Sequence, residues 1–279
     1  TNFLSEHEKG RTPNPDILCN REIKFKSFLD YAFKIGADYI ATGHYAKLET
    51  VNDIKYLKRA KDLEKDQTYF LHEVNEKEFK NCLFPLENLT KSEVREIAKK
   101  NGLITADKKD SVGICFVGER NLKDFLNRFI KFEKGLIKDE CGNIIGEHQG
   151  SILYTQGQRQ GLNIGGVKGR DELPWYVYKK DIKNNEIYVC QGVDNDLLMN
   201  NGLNLEQINW INNINYEFPL NCSVQIRHQH KPVNCKIFYE NDLFKTVFSE
   251  PIRAIAPGQS AVFYNNEICL GGGIITETF

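Results

Sequence analysis

The chain has 279 residues, 41% hydrophobic and 27% charged, with a formal net charge of −1. That size buries a sizeable core and accommodates two or three domains. The near-neutral balance excludes a global positive field, so an RNA contact has to come from local patches.

No run of about 18 apolar residues is present to span a bilayer. Eight cysteines without a C-x-x-C pair predict a reducing compartment, the cytoplasm or its equivalent. Thr occupies position 1 and the single Met is Met199, which predicts a preceding segment.

Residues 24–35 place Phe25, Phe28, Leu29, Ala32 and Phe33 at helical spacing, with Gly36 as the stop. Residues 38–42 read as a short buried strand ending at Gly43-His44. Helix, then buried strand, then glycine is the half-unit of a parallel α/β sheet, where ligands sit at the carboxyl ends of strands. Residues 48–59 read as a hairpin turning near Asn52-Asp53. Thr90 and Glu93 form a capping box ahead of Val94, Ile97 and Ala98, and Asn101-Gly102 closes that helix. Asn121 is positioned to cap another, with an apolar stripe from Leu122 to Ile130.

From about Gly135 short β-rich runs alternate with Gly and Asn turns. Residues 175–180 and 186–190 flank Lys183-Asn184-Asn185 as a hairpin. Residues 193–203 read as a polar, Asn-rich break. Beyond it, 223–227, 233–239, 243–248, 260–264 and 267–270 read as strands of a small sandwich or barrel.

Two cysteines sit in unusual loops. Cys19 follows Pro13-Asn14-Pro15-Asp16, where two prolines stiffen the chain. Asp16 could pass protons; its charge alone would raise the thiol pKa, and Arg21 or a helix N-terminus could offset that. The plainer reading is an N-cap Asp and a small buried Cys. Cys115 lies between Gly113 and Gly118, either a reactive thiol or a buried strand end. Two such thiols permit one to carry a transferable sulfur and the other to release it by closing a disulfide. Cys82, Cys141, Cys190, Cys222, Cys235 and Cys269 read as packing or surface residues.

Lys55, Lys58, Arg59, Lys61 and Lys65, followed by Asp66-Gln67-Thr68-Tyr69, suit single-stranded RNA, or else a solvated hairpin face. Arg227-His228-Gln229-His230-Lys231 is a second basic group; with no third ligand nearby, its H-x-H is not expected to bind a metal. The Gly- and Gln-rich stretch 154–166 lacks the Lys-Ser/Thr ending of a phosphate loop.

In order along the chain, P-N-P-D-I-L-C-N-R-E-I-K-F, A-T-G-H-Y-A, K-D-Q-T-Y-F-L, S-V-G-I-C-F-V-G-E-R, Y-T-Q-G-Q-R-Q-G-L-N-I-G-G and A-P-G-Q-S-A-V-F-Y resemble the tRNA-specific 2-thiouridylases. The resemblance covers nearly the whole chain. It implies an adenine nucleotide alpha-hydrolase-like α/β domain, incomplete at its N-terminus, over residues 1–132. A β-rich central domain over 133–195 and an all-β barrel over 196–279 follow.

It further implies ATP, with Mg as its counter-ion, to adenylate the C2 oxygen of the wobble uridine. Cys115 would receive sulfur as a persulfide and Cys19 would attack it, leaving a transient Cys19–Cys115 disulfide that a reductant resets. Asp16 is the implied acid/base. Gly43 would face ATP. Asn14, Pro15, Asp16, His44, Lys65, Asp66, Gln67, Arg227, His228 and Gln259 would contact tRNA, and a sulfur-relay protein or cysteine desulfurase would supply sulfur. His228 stands where the resemblance implies an aromatic residue such as Tyr. The S-G-G-x-D-S signature expected of the nucleotide site does not occur in the chain, which agrees with a segment ahead of Thr1. The competing reading is a non-catalytic tRNA-binding remnant.

Overall fold

The computed structural model describes residues 2–108, 122–167 and 169–279. The first predicted helix begins earlier than its apolar spacing implies. Pro15–Leu18 opens it, Cys19–Phe28 continues as a π-helix, and Leu29–Lys34 completes it in α form. Pro15 fits the first turn because its missing N–H would have no partner there. Asn14 caps that turn, its Oδ1 accepting from the Asp16 N–H at 3.1 Å. Gly36, at φ 94°, ends the run in the left-handed region. Ile17, Phe25, Leu29 and Ala32 face inward against Tyr69, Phe79 and Phe84. Full burial of side chains this size stabilises by roughly 1.5–3 kcal/mol each.

Strand β1 (Ile40–Ala41) follows. The predicted hairpin is β2 (Lys47–Val51) and β3 (Ile54–Lys58), turned by Asn52 and Asp53 at φ 48° and 62°. Both residue types tolerate that conformation. β4 (Cys82–Leu83) lies parallel to β1, with Ile40 opposite Cys82. The capping box is present: Thr90 Oγ1 accepts from the Glu93 N–H, and Glu93 Oε2 accepts from the Thr90 N–H at 2.6 Å. The later helix spans only Leu122–Leu126 and gives way to a turn before Ile130.

The middle region is a four-stranded sheet of β5 (Gly135–Lys138), β6 (Ile144–His148), β7 (Trp175–Asp181) and β8 (Glu186–Gln191), in the order β6-β5-β8-β7. The predicted hairpin is β7–β8, and Ile137, Val177, Ile187 and Val189 fill its core.

The last region comprises β9 (Met199–Leu205), β10 (Asn209–Trp210), β11 (Leu220–Gln225), β12 (Val233–Glu240), β13 (Leu243–Arg253), β14 (Ser260–Asn265) and β15 (Ile268–Thr278). Six of them, β14-β11-β12-β13-β9-β15, form a barrel that the β14–β15 pairing closes. Part of the stretch read as a polar break is therefore strand β9. Its asparagines lie on a strand held on both sides, by β13 and β15. β15 also runs well past residue 270 through Gly271–Gly273. A Cβ at Gly271 would stand 1.9 Å from the Asn209 carbonyl oxygen, so only glycine admits β10 alongside.

β14 joins barrel and α/β region. Ala261 and Phe263 point into the barrel core, while Val262 and Tyr264 pack with Phe25, Leu57 and Tyr69. The β2–β3 hairpin also hydrogen-bonds to the barrel, through Ile268 opposite Lys58 and the Arg59 N–H donating to the Glu267 carbonyl. Among the described residues no helix is long and apolar enough to cross a membrane.

Candidate active site

Cys19 lies where the opening helical turn becomes the π-helix; its N–H donates to the carbonyls of Pro15 and Asp16, and its thiol is free and half-buried. π-Helical segments recur at functional sites. Asn14 and Asp16 are half-buried in the same turn. The Arg21 guanidinium is engaged elsewhere, donating to Glu22 and to Glu73, each at 2.7 Å. Cys115 lies outside the described residues.

Asn20, the next residue, is buried and bridges two elements. Its Nδ2 donates to the Phe70 carbonyl at 3.0 Å, which leaves Oδ1 facing His44 Nε2 at 3.3 Å. An amide oxygen only accepts, so Nε2 carries the hydrogen and Nδ1 accepts from Thr42 Oγ1 at 2.8 Å. The Lys24 ammonium, 3.4 Å from Nε2, then finds no lone pair there. Burial between Phe25 and Phe84, helped by the Lys24 charge, lowers the His44 pKa to about 4, so the ring is neutral at physiological pH. Gly43 lies two residues beyond the end of β1, in this turn. The nearest atom to a Cβ placed on it would be Leu86 Cδ1 at 4.0 Å, so the strand end is open.

Residues 65–67 dock on the same turn. Gln67 and Tyr45 exchange hydrogen bonds: the Gln67 N–H donates to the Tyr45 carbonyl, and the Tyr45 N–H to Gln67 Oε1 at 3.0 Å. The Lys65 N–H donates to the Asp62 carbonyl. Asp66 is buried, its carboxylate accepting from Arg59 Nη1 at 2.9 Å, Thr68 Oγ1 at 2.6 Å and the Ala60 N–H at 3.1 Å. Burial nevertheless raises its pKa against those three donors. Arg59 also donates to Gln225 and lies 3.8 Å over the Tyr264 ring. His228 Nε2 reaches the Asp66 carbonyl oxygen at 3.0 Å, and its ring packs 4.5 Å from Phe70.

Most of the predicted basic cluster is neutralised internally. Lys58 pairs with Glu49 and Glu267, Arg59 with Asp66, and Lys61 with Glu93. Lys55 donates to the carbonyls of Phe79 and Lys80.

Thr12–Asn14 is held from the other side. Gln259 Nε2 donates to the Thr12 carbonyl, and Thr12 Oγ1 lies 3.1 Å from Thr155 Oγ1. Lys180 donates to the carbonyls of Gly10 and Tyr154, and burial lowers its pKa to about 8. Arg227 is not at the His44 turn. It donates to the carbonyls of Gln156 and Ala254, linking barrel to middle region. A cavity of about 790 Å³ opens beside Pro13, Asn14 and Arg21. Among the described residues no group of three or more His, Cys, Asp or Glu could hold a metal.

Residues 1–119 match the tRNA methyl transferase HUP domain, 123–191 the tRNA methyl transferase PRC-barrel domain, and 200–275 the aminomethyltransferase beta-barrel domain. The tRNA-specific 2-thiouridylase MnmA of Buchnera aphidicola subsp. Schizaphis graminum is 53% identical over 276 residues, 98% of this chain and 75% of the relative. Those of Francisella philomiragia and Legionella pneumophila strain Paris are each 50% identical, over 98% and 99% of this chain and 77% and 76% of theirs.

The chain belongs to the tRNA-specific 2-thiouridylase family. Its architecture is a HUP-type α/β domain, a PRC-barrel middle domain and a C-terminal β-barrel. Within this thiouridylase fold, sequence reasoning missed Asn20, Thr42 and Lys180. Asn20 and Thr42 flank or lie within quoted motifs, yet only the fold reveals their common partner, His44.

Proposed function

We propose that the protein transfers sulfur to C2 of the wobble uridine of tRNA, forming 2-thiouridine. The observation that carries the reading is the half-buried free thiol of Cys19, set one residue from the Asn20–His44 pair, in a chain about 50% identical to tRNA-specific 2-thiouridylases over nearly its whole length. ATP would adenylate the C2 oxygen and make it a good leaving group. Gly43, at an open strand end, would face the nucleotide, and Mg would accompany the phosphates.

Cys115 would receive sulfur as a persulfide from a sulfur-relay protein or cysteine desulfurase. Its terminal sulfur would attack C2, AMP would leave, and the Cys19 thiolate would attack Cys115 Sγ. That frees the thiocarbonyl and leaves a Cys19–Cys115 disulfide for an external thiol to reduce. Asp16, three residues before Cys19, would take or give the proton.

The wobble base lies in a single-stranded loop and is extruded at modest energy. Asn14, Pro15 and Asp16 would meet it. His44, Lys65, Asp66, Gln67, Arg227, His228 and Gln259 form or brace the surrounding surface. His44 and Asp66, being buried, would act by holding the 43–45 and 65–67 turns in shape rather than by touching RNA. The domains would divide at 1–132, 133–195 and 196–279, and the enzyme would work in the cytoplasm.

The test is nucleoside mass spectrometry of unmodified tRNA incubated with the full-length gene product, ATP and a persulfide donor. 2-Thiouridine is expected with wild type and at least a hundredfold less with Cys19→Ser. Equal thiolation by the Cys19→Ser variant would defeat the reading.

A further inference from the structure

We infer that Cys222 and Cys235 form a second dithiol site, on the barrel, that closes reversibly to a cross-strand disulfide on reaction with a small-molecule disulfide of the glutathione type. The two residues are Cα partners on antiparallel strands β11 and β12. Side chains directly opposite on such strands share a face, with Cβ atoms about 4.5–5.5 Å apart. A disulfide asks for roughly 3.5–4.5 Å between Cβ atoms, so the strands have little distance to close. The two sulfurs already approach to 3.6 Å, as free thiols. This contact is longer than a bond and short enough that side-chain rotation closes most of the gap.

Access is asymmetric in a useful way. Cys222 is half-buried and Cys235 is 6% exposed, and both line an open cavity of about 610 Å³. Cys222 is the more exposed of the two thiols and therefore the first to react, while the hydrogen bond with Cys222 and burial push the Cys235 thiol up.

In the first step Cys222 loses its proton and its thiolate attacks one sulfur of oxidised glutathione. One glutathione leaves as a thiol and a mixed disulfide remains on Cys222. Cys235 then gives up its proton and attacks Cys222 Sγ, and the second glutathione departs as a thiol. Two protein thiols have been oxidised and one glutathione disulfide reduced. Excess reduced glutathione runs the sequence backwards.

The cross-link has a structural target. The segment it would enclose carries Arg227 and His228, which tie the barrel to Gln156 and to Asp66. Stapling the base of that segment restrains both contacts.

The experiment is non-reducing peptide mapping of the full-length protein equilibrated in buffers of graded glutathione ratio and quenched by alkylation. Cleavage at Arg227 puts the two cysteines on different peptides. A linked Cys222–Cys235 pair is expected in oxidising buffer, returning to two alkylated thiols in reducing buffer, and forming equally in Cys19→Ser. Amide exchange over residues 226–232 is expected to slow severalfold in the linked form. Two results would overturn the inference: glutathione persisting on Cys222 of the wild type with no linkage, or both thiols remaining alkylated in the most oxidising buffer. Glutathione retained on Cys222 in Cys235→Ser supports the order of attack, while a first adduct on Cys235 in Cys222→Ser contradicts it.

Discussion

Asn20 Oδ1 lies 3.3 Å from His44 Nε2, one residue along the chain from the Cys19 thiol. The same amide donates to the Phe70 carbonyl, and the Phe70 ring packs on His228. One side chain therefore joins the helix that carries Cys19, the turn after β1, and the barrel segment beyond β11.

Asn20→Ala leaves the His44 N–H and the Phe70 carbonyl without their partner in a buried place. The expected cost is about 1–3 kcal/mol, read as a lower urea midpoint at unchanged slope. Asn20→Asp sets a carboxylate against the imidazole and is expected to raise the His44 pKa well above 4, observable by NMR titration. An unshifted ring would refute the contact.

Stability should fall on mild acidification. The His44 pKa is held at about 4 by burial, then by Lys24, while an unfolded imidazole titrates near 6.5. Between those values the unfolded chain binds more protons, so the contribution is complete above pH 6.5 and declines as pH drops toward 4. For His44 alone this amounts to on the order of 3 kcal/mol. His7 and His72, lowered to about 4 and about 3 by burial, act in the same direction. In His44→Gln the slope of unfolding free energy against pH between 5 and 6 should be shallower by nearly one proton.

Gly258 sits at φ 90°, and a Cβ there would stand 2.6 Å from Arg11 Cβ and 2.7 Å from the Thr12 nitrogen. Gly258→Ala is expected to cost about 1–3 kcal/mol and, by displacing the segment ahead of Asn14, to lower thiolation severalfold. Gly36 has φ 94° but open space around it. Gly36→Ala should therefore lose stability by strain alone and keep activity. Equal activity in the two variants would show that the 11–14 segment tolerates displacement.

Asp66→Asn removes the charge beside Arg59, which is itself largely buried against Gln225 and Tyr264. Breaking one side of a buried pair costs about 3–5 kcal/mol, so thermal unfolding should shift down by several degrees. A midpoint unchanged from wild type would contradict that.

Turns and caps were legible because their chemistry is local. Asn52-Asp53 and Thr90–Glu93 carry their own instructions. β14 hid its role because successive residues enter two different cores, which erases the alternation expected of a barrel strand. The basic cluster is less cationic in the fold than in the sequence, because Glu49 across the hairpin and the distant Glu93 and Glu267 pair with its lysines. At the site, the Pro-rich loop pointed to Cys19. Asn20 carried no signal of its own, since an amide is informative only once its partners are known.

The most direct measurement is a single-turnover reaction of the full-length gene product, loaded with a persulfide donor, ATP and tRNA, quenched with an alkylating agent and mapped without reductant. A peptide pair joined through Cys19 and Cys115, in proportion to 2-thiouridine formed, is the predicted result. Thiolated tRNA alongside fully alkylated Cys19 would contradict the account.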